Sequence, residues 1–179
     1  MTGATGTAYS LRPARTGDFP QLRTIEQAAA GLFPAGRVNI DETLTAAALT
    51  AHLNNRWLYC VSVATAATHD GGADAPVGFV AATPDGEALH INEMSVHPDH
   101  GQQGLGTRLL TFCVRRARRR GFTALTLTTF ADLAWNAPFY RRLGFGDCAE
   151  DRLTSSLQKH LDAERQAGLT QRIAMQLPL

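Results

Sequence analysis

Residues Val96-His97-Pro98-Asp99-His100-Gly101-Gln102-Gln103-Gly104-Leu105-Gly106-Thr107-Arg108 run from an apolar strand end through a polar turn into a helix opened by a glycine pair. Such a junction can hold a phosphate. Glycines at 104 and 106 allow the main chain to approach a ligand closely, and the first N–H groups of the helix meet it with the positive end of the helix dipole. The expected chemistry is recognition of a phosphate-bearing cofactor. Two common cradles are excluded by residue type. Gly101 and Gly106 have P-loop spacing, but Thr107 stands where a lysine must reach the β- and γ-phosphates. Gly104-Leu105-Gly106 could open a dinucleotide fingerprint, yet Leu109 takes the third glycine position and no acidic residue follows about 20 positions on at a strand end. His97 and His100 have ligand-like spacing, but no further donor lies near them, so no metal site is expected.

A second segment, Trp135-Asn136-Ala137-Pro138-Phe139-Tyr140-Arg141-Arg142-Leu143-Gly144-Phe145, completes the pattern. Together the two segments resemble the GNAT superfamily of N-acetyltransferases. In that family an (R/Q)xxGx(G/A)-like turn after a strand binds the pyrophosphate of coenzyme A, and an FYxxLGF-like stretch packs along the pantetheine arm and supplies a tyrosine. Gln103-Gly104-Leu105-Gly106 and Phe139-Tyr140-Arg141-Arg142-Leu143-Gly144-Phe145 match them. The first position of the glycine motif is Gly101, and the family's usual asparagine position before the tyrosine is Leu133, with Asn136 closer to it.

The resemblance implies an acetyl-CoA-dependent N-acetyltransferase acting by direct transfer in a ternary complex. An ammonium with a pKa of about 10.4 is no nucleophile, so a base is required. The resemblance points to Glu93, on the strand leading into the cradle. It assigns Tyr140, by position, as the acid for the leaving thiolate, a proton donor of pKa about 10 being similar to or above the thiol's pKa of about 8.5. It further implies that main-chain groups of Met94, Ser95 and Val96 pair with the cofactor like an added strand. Gln102, Gln103, Gly104, Leu105, Gly106 and Thr107 would surround the pyrophosphate, with Asn136 and Phe139 along the arm. A covalent relay is not expected, since none of Cys60, Cys113 and Cys148 neighbours a histidine in sequence. The acceptor would be a small amine, an amino acid derivative, or a peptide lysine or N-terminus. Glu26 on the first helix is expected to attract its ammonium, and Phe33 to supply an apolar wall. The alternative is a catalytically silent module that senses acyl-CoA.

Composition agrees with an enzyme that recognises its ligands locally. The chain has 179 residues, is 44% hydrophobic and carries a net charge of +1, which gives no long-range attraction to nucleic acid or anionic lipid. The arginine run at 115–120 is explained by its place in a last helical turn. Three well-separated cysteines in apolar stretches suit buried reduced thiols and a cytoplasmic protein, and neither a leader nor a membrane span is expected.

These residues need a scaffold. The sequence predicts one domain over residues 1–179, with a disordered start at 1–7. A strand is expected at Ala8–Arg12, then a helix capped by Asp18 with Leu22, Ile25 and Ala29 on its inner face, and a second helix at Thr43–Leu53. Strands follow at Trp57–Ala66, Val77–Thr83 and Glu87–Val96, with a loop at Ala67–Pro76 and a tight turn at Thr83–Gly86. Helix Gly104–Arg120 stops at Gly121. Strand Thr123–Thr129, helix Ala134–Leu143, strand Phe145–Cys148, helix Leu157–Arg165 and strand Gln171–Leu177 complete the order. The predicted fold class is α/β (α+β): a mixed, mostly antiparallel central sheet flanked by helices on both faces. The last strand is a candidate edge for a homodimer.

Overall fold

Among the described residues, runs of β-branched and aromatic residues separated by glycine- and proline-bearing turns become seven strands, and the helical repeats become five α-helices. The computed structural model describes residues 8–64 and 74–179. The elements are β1 (Tyr9–Pro13), α1 (Phe19–Ala30), α2 (Ala46–Asn54), β2 (Leu58–Ala64), β3 (Asp74–Asp85), β4 (Ala88–Val96), α3 (Leu105–Arg119), β5 (Ala124–Phe130), α4 (Ala137–Arg142), β6 (Gly146–Asp147), α5 (Ser155–Gln166) and β7 (Arg172–Pro178). The strands form one open sheet in the order β1-β2-β3-β4-β5-β7-β6, flanked by helices. β4 and β5 are parallel, whereas β1–β2, β2–β3, β5–β7 and β6–β7 are antiparallel.

Contacts divide the chain into two compact units: Met1–Leu32, Ile40–Ala81 and Met94–Leu109 in the first, and Phe33–Asn39, Ala82–Glu93 and Leu110–Leu179 in the second. In the first unit, Leu22 and Ile25 of α1 and Leu49 of α2 bury completely against Leu58 and Cys60 of β2 and Phe79 and Ala81 of β3. Thr45 caps α2 by accepting the Ala48 N–H at 3.1 Å. Gly78 lies beside a shift in register between Val61 and Ser62. A Cβ there would meet Val96 Cγ2 at 3.0 Å, the Ser95 carbonyl oxygen at 3.1 Å and Val61 Cγ1 at 3.1 Å. A valine at position 78 must therefore displace β4 just before the glycine turn. We expect Gly78→Val to lower the free energy of unfolding in urea by about 1–3 kcal/mol, the usual cost of overpacking. An unchanged midpoint would show that β4 yields freely.

The second unit is built on β4, β5 and β7. Leu89 and Ile91 face Leu125 and Leu127 across the parallel ladder, and all four are buried. α3 contributes Leu110, Cys113 and Ala117 at helical spacing, each buried. Helix α5 follows Thr154, whose hydroxyl caps it by accepting the Leu157 N–H at 3.2 Å. The α5 side chain His160 stacks on His90 of β4, with ring centroids 4.0 Å apart.

Several expectations change. Asp18 does not cap α1 with its side chain; the carboxylate accepts from Arg12 Nη1 at 2.7 Å and from the Arg15 N–H at 2.7 Å, so an ion pair takes the group that a cap would use. Residues 74–76, expected in a loop, belong to β3 because they pair with β2. The rest of that loop from 67 to 73, and the start at 1–7, lie outside the described residues. The turn after β3 is the two-residue Gly86-Glu87, with Gly86 at φ +58°. Cys148 is half-buried, unlike Cys60 and Cys113. β7 is paired along its length with β5 and, at Met175 and Gln176, with β6, so it is not an open edge strand there.

Candidate active site

The glycine turn has the geometry its sequence requires. Gln102 and Gly104 take positive φ values of 57° and 71°, which turn the chain sharply before α3. The Arg108 N–H bonds to the Gly104 carbonyl at 3.0 Å, the first bond of the helix, so the N–H groups of Leu105, Gly106 and Thr107 point out of its N-terminus. A Cβ on Gly104 would meet nothing within 4 Å, leaving open space over the turn. Leu105 anchors it from beneath, fully buried, while Gln102 and Gln103 are exposed. Both histidines of the turn are used internally: the Tyr9 hydroxyl lies 3.0 Å from His100 Nδ1, and His97 Nδ1 accepts the Asp99 N–H at 3.3 Å. Upstream, the His97 N–H donates to the Val77 carbonyl at 2.8 Å, and Ser95 is buried between the partly buried Met94 and Val96.

In the second unit, the parallel ladder between β4 and β5 runs from Ala88↔Ala124 to Ile91↔Leu127, although β4 continues to Val96 and β5 to Phe130. Asn92 and Glu93 lie just past the last paired residue. Asn136 sits at the start of α4, with its main-chain carbonyl accepting the Phe139 N–H at 2.9 Å and its side-chain oxygen accepting the Thr129 hydroxyl at 3.1 Å. That helix delivers Tyr140, whose ring meets Phe139 and Phe145 edge-on at centroid distances of 5.1 and 5.7 Å. Burial, then the negative charge of Glu93, holds the Tyr140 phenol well above its usual pKa, and the Arg172 charge opposes this.

Two arginines flank the same region. Arg172 is the cross-strand partner of Phe130, and its Cζ lies 4.5 Å from the Phe130 centroid; the Cζ of Arg37 lies 4.9 Å from that ring. Phe33 packs on Phe130 at 5.4 Å between centroids. Arg172 is fixed by Glu164, through Nε to Oε2 at 2.9 Å and Nη2 to Oε1 at 2.7 Å, and its Nη2 also donates to Thr128 Oγ1 at 3.1 Å. Arg37 donates from Nη2 to Asp132 and from Nη1 to Thr170 Oγ1 at 3.4 Å.

With this geometry in place, a model of the "Acetyltransferase (GNAT) family" matches residues 40–145, more than half of the chain. The chain belongs to the GNAT family of acetyltransferases. Similar solved GNAT structures include a PaiA N-acetyltransferase from Thermoplasma acidophilum in complex with coenzyme A, with a TM-score of 0.69 at 12% identity, covering 96% of this chain and 99% of that one. The ribosomal-protein-S18-alanine N-acetyltransferase from Escherichia coli aligns at a TM-score of 0.60 and 20% identity, covering 96% and 94%. N-acetylglutamate synthase from Neisseria gonorrhoeae, complexed with coenzyme A and N-acetyl-glutamate, aligns at 0.67 and 20% over 98% of this chain, which spans only 36% of that longer chain. At such identities the likeness is one of fold.

Within this GNAT chain, the second unit contains Glu93, Asn136, Phe139, Tyr140 and Phe33, while the glycine turn and Met94, Ser95 and Val96 belong to the first. Glu26 also lies in the first unit, where its carboxylate accepts the Leu44 N–H at 3.0 Å. Arg172 and Phe130 were not expected in the site, since nothing in sequence links the end of β5 to the start of β7 before their pairing is known. The two buried thiols suit no nucleophilic role: burial raises the pKa of Cys60 and pushes that of Cys113 up to about 12. Among the described residues, no group of three or more His, Cys, Asp and Glu side chains could hold a metal ion, and no helix is long and apolar enough to cross a membrane.

Proposed function

We propose that the chain is an acetyl-CoA-dependent N-acetyltransferase that moves the acetyl group directly to a primary amine. The observation that carries this reading is the GNAT-family match over residues 40–145 together with the open glycine turn before α3, with Glu93 past the end of the β4–β5 ladder as candidate base and Tyr140 on α4 as candidate acid. A protein that merely binds the cofactor has no use for a base and an acid.

The residues fit the cofactor. The open space over Gly104 and the outward N–H groups of Leu105, Gly106 and Thr107 suit a pyrophosphate. Met94, Ser95 and Val96 would pair through their main chain with an extended amide-bearing arm, as an added strand does. Acetyl-CoA, when bound, supplies the thioester to be attacked. Glu93 takes the proton from the incoming ammonium, directly or through water, and frees the nitrogen lone pair. Neutralising Glu93 removes one of the two influences that hold the proton on Tyr140, so the hydroxyl becomes the stronger acid as the thiolate leaves. The C–N bond forms, the C–S bond breaks and the phenolic proton goes to sulfur, while the second proton that the nitrogen loses restores the Tyr140 hydroxyl.

The amine remains open at this level. The similar structures include an enzyme named for a ribosomal-protein alanine and another bound to N-acetyl-glutamate, so both protein and free amino acid amines are candidates. The free thiols of Cys60, Cys113 and Cys148 support a cytoplasmic setting. The direct test is calorimetric titration with acetyl-CoA, with dephosphorylated coenzyme A and ATP as controls. Selective micromolar binding followed by thiol release with an amine supports the reading. Failure to bind acetyl-CoA overturns it, and binding without turnover on any amine favours the sensor.

A further inference from the structure

We propose that Arg37 and Arg172 form a carboxylate clamp for the acceptor, which makes the substrate a free amino acid or another small amine bearing a carboxylate. This rests on the acetyltransferase reading above. Both guanidiniums stack on Phe130, one from the segment after α1 and the other from the start of β7. Each already holds one protein carboxylate, Asp132 for Arg37 and Glu164 for Arg172, so a ligand anion would meet the donors that these leave.

The donors that remain match such an anion. Arg37 Nε is buried and has no hydrogen-bond partner, an arrangement that costs free energy until an acceptor arrives. Its carboxylate partner, Asp132, is 44% exposed and is held through a single nitrogen, so water screens that pair and a ligand can compete with it. Arg172 differs: Glu164 and Thr128 fix Nε and Nη2, which leaves Nη1 outside that network. A planar carboxylate suits guanidinium edges because it accepts two parallel hydrogen bonds. Arg172 also lies close enough to Tyr140 for its charge to act on the phenol, which connects the clamp to the reacting end of the site. Phe33, packed on the same ring, gives the clamp an apolar side.

The experiment compares L-amino acids with their carboxamides as acceptors, following free thiol release by the wild type and by Arg37→Met, with acetyl-CoA affinity measured for both. Arg37 is chosen because Arg172 and its Glu164 network stay intact without it. We expect the wild type to favour acids over amides by at least about tenfold in kcat/KM, as losing one member of a buried charge pair does. Arg37→Met should raise KM for the acid by about the same factor, leave the amide within about twofold, and leave acetyl-CoA affinity unchanged. Equal use of acid and amide by the wild type overturns the clamp, as does a variant that slows both alike. Turnover of uncharged amines alone, or of none while acetyl-CoA binds, also overturns it without touching the cofactor assignment. Failure of the wild type to bind acetyl-CoA removes the acetyltransferase reading, and the clamp with it.

Discussion

Tyr140→Phe should lower kcat at least about tenfold and toward the hundredfold typical of a lost general acid, with acetyl-CoA affinity nearly unchanged. The substitution removes one oxygen and keeps the ring, so the edge-on packing against Phe139 and Phe145 survives. Folding is therefore not the variable. If the hydroxyl acts only as the bond to sulfur breaks, kcat and kcat/KM fall by the same factor. A rise in KM alone would instead place Tyr140 in ground-state binding, and unchanged turnover would remove it as the acid. The wild-type pH profile carries a second sign of the same chemistry. Burial and Glu93 hold the phenol protonated beyond the ordinary tyrosine pKa of about 10, so Tyr140 should cause no loss of rate up to that pH. An alkaline fall between about pH 8 and 9 that vanishes in Tyr140→Phe would contradict this environment.

Local signals were legible wherever a residue type fixes the backbone by itself. Gly104, Gly121 and Gly144 all adopt positive φ, and they mark the start of α3 and the ends of α3 and α4 where the sequence places them. Leu109, Cys113 and Ala117 repeat at helical spacing and are buried. Pairing across the sheet was less accessible. That β7 inserts between β5 and β6 depends on contacts remote in sequence, so the last strand reads as an edge until its two neighbours are known. Competition for a polar group was harder still. Asp18 has the sequence context of a cap, yet Arg12 claims its carboxylate. The arginine pair is the extreme case, since Arg37 and Arg172 meet only through Phe130. Chemistry carried by a continuous motif is readable from the chain. Acceptor recognition, assembled from the loop after α1 and the ends of β5 and β7, needs the fold.

Glu93→Gln should cost most at low pH and progressively less as pH rises toward the pKa of the acceptor amine. Glutamine keeps the size and hydrogen-bonding reach of the side chain but cannot take a proton, so the variant depends on amine that is already neutral. An α-amino group, with a pKa near 7.7–8.0, is scarce in that form at about pH 6 and abundant at about pH 9. The expected ratio of wild-type to variant kcat/KM is thus about 10² near pH 6 and within about tenfold at pH 9, in line with the loss of a general base. A constant ratio across this range would assign Glu93 a positioning role. A separate readout needs no substrate. Glu93 is one of the two influences raising the Tyr140 pKa, so its neutral replacement should shift tyrosinate formation at that residue to lower pH in an ultraviolet titration. The chain has three tyrosines, and subtracting the Tyr140→Phe curve isolates the relevant one. A downward shift together with a pH-dependent rate loss would establish that base and acid are one coupled device, since removing the carboxylate charge then acts on the phenol as proton uptake by Glu93 does during turnover.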